Sequence, residues 1–188
     1  MRTVILLGDS IRMGYQPYAA QELGHAFRVT GPAENCATSR NLLANLDRWA
    51  VERGASIIHV NAGLHDLRYD PQRDGPVVSM DEYESNVRAI LGRLRERTEA
   101  RLIWATTTPV HEKLHEEQQL ARRRESDVAS YNAIATRVAD EFAVEIDDLC
   151  AAVLAHGPDK LWSQDGVHFS EAGSRFLGAA VARAVRRM

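Results

Sequence analysis

Basic charge is not in excess in this 188-residue chain: 23 Lys and Arg stand against 26 Asp and Glu, a formal net charge of −3. Without a basic stripe, the electrostatic footprint of a nucleic-acid binder is missing. Cysteine is scarce, and the two present, Cys36 and Cys150, make neither a metal-ligand spacing nor a disulfide framework, which fits a reducing compartment. Long apolar runs are missing as well. The run after Arg2 ends at Leu7, shorter than a signal-peptide core and far shorter than a membrane span. No repeat, linker or low-complexity tract interrupts the chain. These absences predict a soluble, cytoplasmic protein with no nucleic-acid or membrane partner, and they set no oligomeric state. What is there is 45% hydrophobic content, enough for one core and too little for two ordinary domains, so residues 1–188 are read as one domain.

Short apolar runs alternate with amphipathic stretches. Strands are predicted near Thr3–Leu7, Ala26–Thr30, Ser56–Asn61, Arg101–Thr106 and Val144–Ile146. The clearest helix opens with a capping box, Ser79 followed three residues later by Glu82, and Tyr83, Val87, Ile90, Leu91 and Leu94 share one face. Similar stripes run through Leu42, Leu46 and Trp49, through Val128, Tyr131, Ile134 and Val138, and through Leu177, Ala180, Val181 and Ala184. Continuous apolar runs such as Ile57-Ile58-His59-Val60 suit strands covered on both faces. The βαβ series therefore predicts a five-stranded parallel sheet with helices on both sides.

Ligands of such sheets sit beyond the carboxyl ends of the strands, at a topological switch point. The polar loops fall there. The run Val4–Leu7 feeds directly into Gly8-Asp9-Ser10, which sets a hydroxyl on a strand-to-helix turn where helix-opening N–H groups can face a developing negative charge. Capping of the next helix by Asp9 and Ser10 would explain the same tripeptide. Near the other end, Asp165-Gly166-Val167-His168 places a carboxylate three residues before an imidazole, the base and orienting acid that a serine nucleophile needs. Between them lie Asn35-Cys36-Ala37-Thr38-Ser39, Gly63-Leu64-His65-Asp66 and Thr106-Thr107-Thr108-Pro109.

On these motifs the chain resembles the SGNH (GDSL-like) hydrolases over essentially its whole length. The resemblance implies a three-layer α/β/α flavodoxin-like fold and ester hydrolysis through an acyl-enzyme, with no metal or cofactor. Ser10 takes the place of the family's nucleophile, and Asp165 and His168 that of its Asp-x-x-His pair. It further implies an oxyanion hole from the Ser10 N–H, a second-block N–H at Cys36 or Ala37, and a third donor at His65. The chain departs from the family at the last two positions. A glycine is usual in the second block, where a backbone donor tolerates the change. The third donor is usually an asparagine, and an imidazole donates only from a protonated nitrogen and titrates near neutrality. Asn61 is read as a hydrogen-bonding residue at the sheet end.

The family's substrates include acetylated sugars, lysophospholipids, thioesters and simple esters. Polar rim residues, with Asp9, Asn35, Arg68 and Thr107 as candidate substrate contacts, favour a short acyl ester of a polar alcohol such as a carbohydrate. Tyr15, Trp162 and Phe169 are candidates for a stacking wall or for the core. The alternatives are a lysophospholipase or thioesterase of the same fold, or a domain that binds an ester or sugar without turning it over. His111-Glu112-Lys113-Leu114-His115 matches the zinc-protease helix motif, but it follows a strand end in a segment dense in Glu, Gln and Arg, and no third ligand is evident. Residues 111–125 are read instead as a flap or short helix at the rim, and Arg122-Arg123-Arg124, flanked by acidic residues, as a solvated mixed-charge run.

Overall fold

Val4, Leu6 and Leu7 are fully buried, as are Ile57, Ile58 and Val60, because the strands that carry them lie side by side under helices on both faces. The computed structural model describes residues 1–72, 74–118 and 121–187. Five strands, β1 (Arg2–Leu7), β2 (Phe27–Thr30), β3 (Ile57–Val60), β4 (Arg101–Ala105) and β5 (Glu145–Asp147), form one sheet in the order β2-β1-β3-β4-β5. Every neighbouring pair is parallel. The order reverses direction at β1, so the carboxyl ends of β1 and β3 flank the switch point at which ligands of this architecture sit.

The helices are α1 (Ser10–Leu23), α2 (Ser39–Trp49), α3 (Met80–Arg97), α4 (Glu112–Gln118), α5 (Glu125–Glu141), α6 (Leu149–His156) and α7 (Glu171–Arg186). One layer is built on the contact of α1 with α7, to which α6 adds; the other is the row α2, α3, α5. The apolar stripes face the sheet: Leu42, Leu46 and Trp49 of α2, Val87, Ile90 and Leu94 of α3, and Val128, Tyr131 and Val138 of α5 are buried.

Several helices start on a side-chain cap. Asp9 Oδ1 accepts the Ile11 N–H (2.9 Å), Thr38 Oγ1 accepts from Asn41 (3.2 Å) and Ser170 Oγ from Gly173 (3.2 Å). The predicted capping box is half realised. Ser79 Oγ takes the Glu82 N–H (3.3 Å), while the Glu82 carboxylate accepts a two-pronged bond from Arg40 (2.7 and 2.8 Å), the stronger partner for a carboxylate.

Two glycines are dictated by close approach at the carboxyl edge of the sheet. A Cβ on Gly8 would lie 2.7 Å from Arg12 Cβ, and one on Gly63 would lie 2.0 Å from Thr107 Oγ1. Both turns carry polar loops into the same rim, so their compactness sets where those loops sit.

Candidate active site

Ser10 is the first residue of α1, held at the end of β1 by the Asp9 cap. Its Oγ lies 2.8 Å from His168 Nε2, and His168 Nδ1 lies 2.5 Å from Asp165 Oδ2. The carboxylate is fixed from its other side. Asp165 Oδ1 accepts the backbone N–H groups of Val167 (2.9 Å) and His168 (2.8 Å) and the hydroxyl of Ser163 (2.8 Å). Partial burial pushes the Asp165 carboxyl up, but these donors outweigh it and hold the group well below the usual carboxylate range. An ionised Asp165 only accepts, so Nδ1 carries the proton and Nε2 is left to accept from Ser10. Residues 158 positions apart thus form one relay from hydroxyl to imidazole to carboxylate.

A pocket of about 250 Å³ opens beside this relay, lined by Asp9, Ser10, Asn35, Leu64, His65, Arg123, Val167 and His168. A larger concavity of about 530 Å³ between α5 and α6 is lined by residues such as Asn132 and Cys150 and lacks Ser10 and His168. The smaller pocket is therefore within reach of the relay, as is a cavity of about 70 Å³ lined by Ser10 and His168 together with Gly14, Phe169 and Ser174 among others. His65 has no hydrogen bond to its ring among the described residues, and burial, opposed by Asp9 and aided by Arg123, lowers its pKa below that of an ordinary imidazole.

The second-block loop differs from expectation. The Cys36 N–H donates to the Gly8 carbonyl (3.1 Å) and the Ala37 N–H to Asn35 Oδ1 (2.7 Å), so neither is free for an oxyanion. Ala37 has a left-handed φ of 53°, the conformation that suits glycine. Past it, the Ser39 N–H is taken by Asp66, and the Arg40 N–H has no acceptor among the described residues. The Ser10 N–H likewise has none.

Thr107 and Arg68, expected as substrate contacts, are not among the residues that line the pocket. Thr107 is buried, its hydroxyl donating to the Ala62 carbonyl (3.0 Å) and its backbone N–H and carbonyl bonded to Asn132. Arg68 pairs with Asp70 (2.8 Å) and does not line the pocket. Asp9 and Asn35 do line it, although Asp9 is buried as the cap of α1. Asn61 donates to the Ala105 carbonyl (3.0 Å) at the sheet end. Tyr15 is core, 1% exposed, whereas Trp162 is half-buried with its indole N–H on the Pro109 carbonyl (3.3 Å).

Residues 112–118 do form a short helix, α4; Gln119 and Leu120 of the rim segment lie outside the described residues. The two histidines of the zinc-like motif have separate jobs. His111 packs edge-on against Trp162, with ring centroids 5.1 Å apart. His115 is buried, with Nδ1 3.3 Å from the Asp165 carbonyl and Nε2 3.1 Å from Arg123 Nη1. Among the described residues no group of three His, Cys, Asp or Glu is placed to hold a metal.

Three buried polar residues have structural roles that the motifs did not predict. Arg12 donates to the carbonyls of Pro32 (2.9 Å) and Glu34 (2.8 Å), and so ties the second-block loop to α1. Its signal was its place on the inward face of α1 with Ile11, Tyr15 and Ala19. Asp66 accepts from Ser39 Oγ (2.5 Å) and the Ser39 N–H (2.9 Å), joining the loop after β3 to the head of α2. Arg123, taken for part of a solvated run, is 8% exposed, while Arg122 and Arg124 on either side are exposed.

The GDSL-like Lipase/Acylhydrolase family model matches residues 6–176. No curated protein matches the chain. Among solved structures, a lipase/acylhydrolase from Enterococcus faecalis is similar at 20% identity and a TM-score of 0.81, covering 98% of this chain and 95% of that one. An acetylxylan esterase from Geobacillus stearothermophilus is similar at 20% identity and a TM-score of 0.79, covering 100% and 95%. An α/β hydrolase from the metagenome of Lake Arreo, Spain, is similar at 18% identity and a TM-score of 0.78, covering 100% and 97%.

Proposed function

Because the chain belongs to the GDSL-like Lipase/Acylhydrolase family, whose members hydrolyse esters, we propose that Ser10, His168 and Asp165 carry that reaction through an acyl-enzyme, in one catalytic domain spanning residues 1–188. The observation that carries the reading is the relay of 2.8 Å from Ser10 to His168 and 2.5 Å from His168 to Asp165. His168 Nε2 takes the hydroxyl proton as Oγ attacks the ester carbonyl, and the protonated imidazole returns it to the leaving alcohol. Asp165 stays ionised throughout, holding the ring and stabilising its positive charge. Water then enters where the alcohol left and is activated by the same nitrogen to release the acid. The oxyanion is held by the free Ser10 N–H and the side chain of His65, with the Arg40 N–H at the head of α2 replacing the spent N–H of Cys36.

The substrate is a short-chain ester of a polar alcohol, such as an acetylated carbohydrate. A pocket of about 250 Å³ in which Leu64 and Val167 are the apolar linings supports a short acyl group over the extended chain of a lysophospholipid. The acetylxylan esterase among the similar structures points the same way. The free thiols of Cys36 and Cys150 support a reducing, cytoplasmic setting. A fluorophosphonate should label the wild type and not Ser10→Ala, and Ser10→Ala should lose turnover of 4-nitrophenyl acetate while unfolding at nearly the same temperature, since among the described residues Oγ bonds only His168. Near-wild-type activity in Ser10→Ala would remove Ser10 from the reaction.

A further inference from the structure

Among the described residues lining the pocket, Arg123 is the one permanent cation, and it forms no ion pair with any described residue. Its Nε donates to the Leu64 carbonyl (2.7 Å) and its Nη1 faces His115 Nε2 (3.1 Å). Both partners are neutral. His115 must accept at Nε2 from a guanidinium that only donates, which leaves its own proton on Nδ1, toward the Asp165 carbonyl. Nη2 has no acceptor among the described residues, and no ion pair involving Arg123 is present among them.

None of the neighbouring carboxylates hydrogen-bonds Arg123. Asp165 serves His168 and Asp70 serves Arg68. Asp9 gives Oδ1 to the Ile11 N–H, and its Oδ2 is sealed from solvent without a partner. Burial, with the like charge of Arg68, brings the Arg123 pKa down to about 10, against the pull of Asp9 and Asp165. A buried guanidinium that lines a pocket, held at Nε and Nη1 by neutral groups and with Nη2 unpartnered among the described residues, is a costly arrangement unless something brings the missing charge.

We propose that the substrate brings it: Arg123 is a subsite for an anionic group, and the preferred esters carry a carboxylate or similar small anion on the molecule that holds the scissile bond. This rests on the esterase reading and narrows its substrate class. A guanidinium edge matches the spacing of carboxylate oxygens, and the shielded pocket strengthens the pairing. Because the anion is held in both the ground and transition states, Arg123 acts mainly on KM.

Two matched pairs of esters test it. Mono-4-nitrophenyl succinate against 4-nitrophenyl methyl succinate places or removes the anion on the acyl side, and 4-carboxyphenyl acetate against 4-carbamoylphenyl acetate does so on the alcohol side. The wild type should favour the anionic member of at least one pair by roughly 10–100-fold in kcat/KM, the worth of one charged hydrogen bond. Arg123→Gln should abolish that preference through KM, and Arg123→Lys should keep part of it. Thermal unfolding of each variant checks the fold, and if Arg123→Gln does not fold, the fall in preference in Arg123→Lys carries the test. If Arg123 served only to tie Leu64 to His115, rates would fall for both members alike and the ratio would not move. No anionic preference in the wild type, or one that survives Arg123→Gln, overturns the proposal. Hydrolysis of none of the four esters would instead overturn the esterase reading. Calorimetric binding of succinate and of benzoate to Ser10→Ala, expected to vanish in Ser10→Ala/Arg123→Gln, then decides the subsite alone.

Discussion

If His65 is the third oxyanion donor proposed above, truncating it to Ala removes that donor without breaking a hydrogen bond to any described residue. One donor aimed at a tetrahedral intermediate is worth about 10²–10³ in kcat, or about 3–4 kcal/mol, and acts with little change in KM because it engages only as charge develops. His65→Ala should show that loss with 4-nitrophenyl acetate at saturating substrate. His65→Asn should recover much of it, since an amide N–H can reach a similar point, and the longer His65→Gln should recover less. The pH profile adds a second constraint. Burial lowers the His65 pKa below 6.5, so the ring is neutral at pH 7 and above and offers one N–H there. The ratio of wild-type to His65→Asn rates should therefore stay flat from about pH 7 to 9 and change only on the acid side, where the ring gains its second proton. An unchanged kcat in His65→Ala would take His65 out of the oxyanion hole, and a step in the ratio above pH 7 would refute the part assigned to burial.

Arg12→Met should destabilise the protein by about 3–5 kcal/mol in urea unfolding, because the carbonyls of Pro32 and Glu34 lose a buried charged donor; a change under 1 kcal/mol would mean that the second-block loop is held by something else. Burial raises the Asp66 pKa to about 7 in the fold, against its Ser39 donors, from an ordinary value of 3.8. The folded state then binds the extra proton between those values, so stability from this group is fully present below about pH 4 and is lost as pH rises toward 7, by up to about 4 kcal/mol. Asp66→Asn, which cannot ionise, should flatten that fall when urea unfolding is compared at pH 5 and pH 8, and a wild type equally stable at both would contradict it.

How much of this was legible in the sequence depends on whether a signal is local. The strands were readable to within a residue or two from apolar runs, and the parallel sheet followed from the βαβ series, whereas the strand order came only with the structure. Ser10, Asp165 and His168 stood out because strand-turn-helix placement and an i, i+3 spacing are written in consecutive residues. Asn35 to Ser39 were less readable, since the direction of an N–H in a loop depends on what it meets: the Gly8 carbonyl, in the case of Cys36, comes from another strand end.

Arg123 shows the same limit at its sharpest. In composition it is identical to Arg122 and Arg124, and nothing in Arg122-Arg123-Arg124 separates the middle residue from its neighbours. The separation comes from Tyr69, 53 positions before Arg122. Its N–H and carbonyl pair with those of Arg122 at 2.9 and 3.0 Å, forming an antiparallel bridge that puts this short stretch into extended geometry. Side chains in extended chain alternate. Arg122 and Arg124 therefore turn outward, Arg124 over the Tyr69 ring at 4.7 Å, and Arg123 turns inward to the Leu64 carbonyl. A single long-range pairing between two irregular segments thus converts one of three equivalent arginines into a pocket residue beside Ser10. Shifting that pairing by one residue would present Arg122 or Arg124 instead.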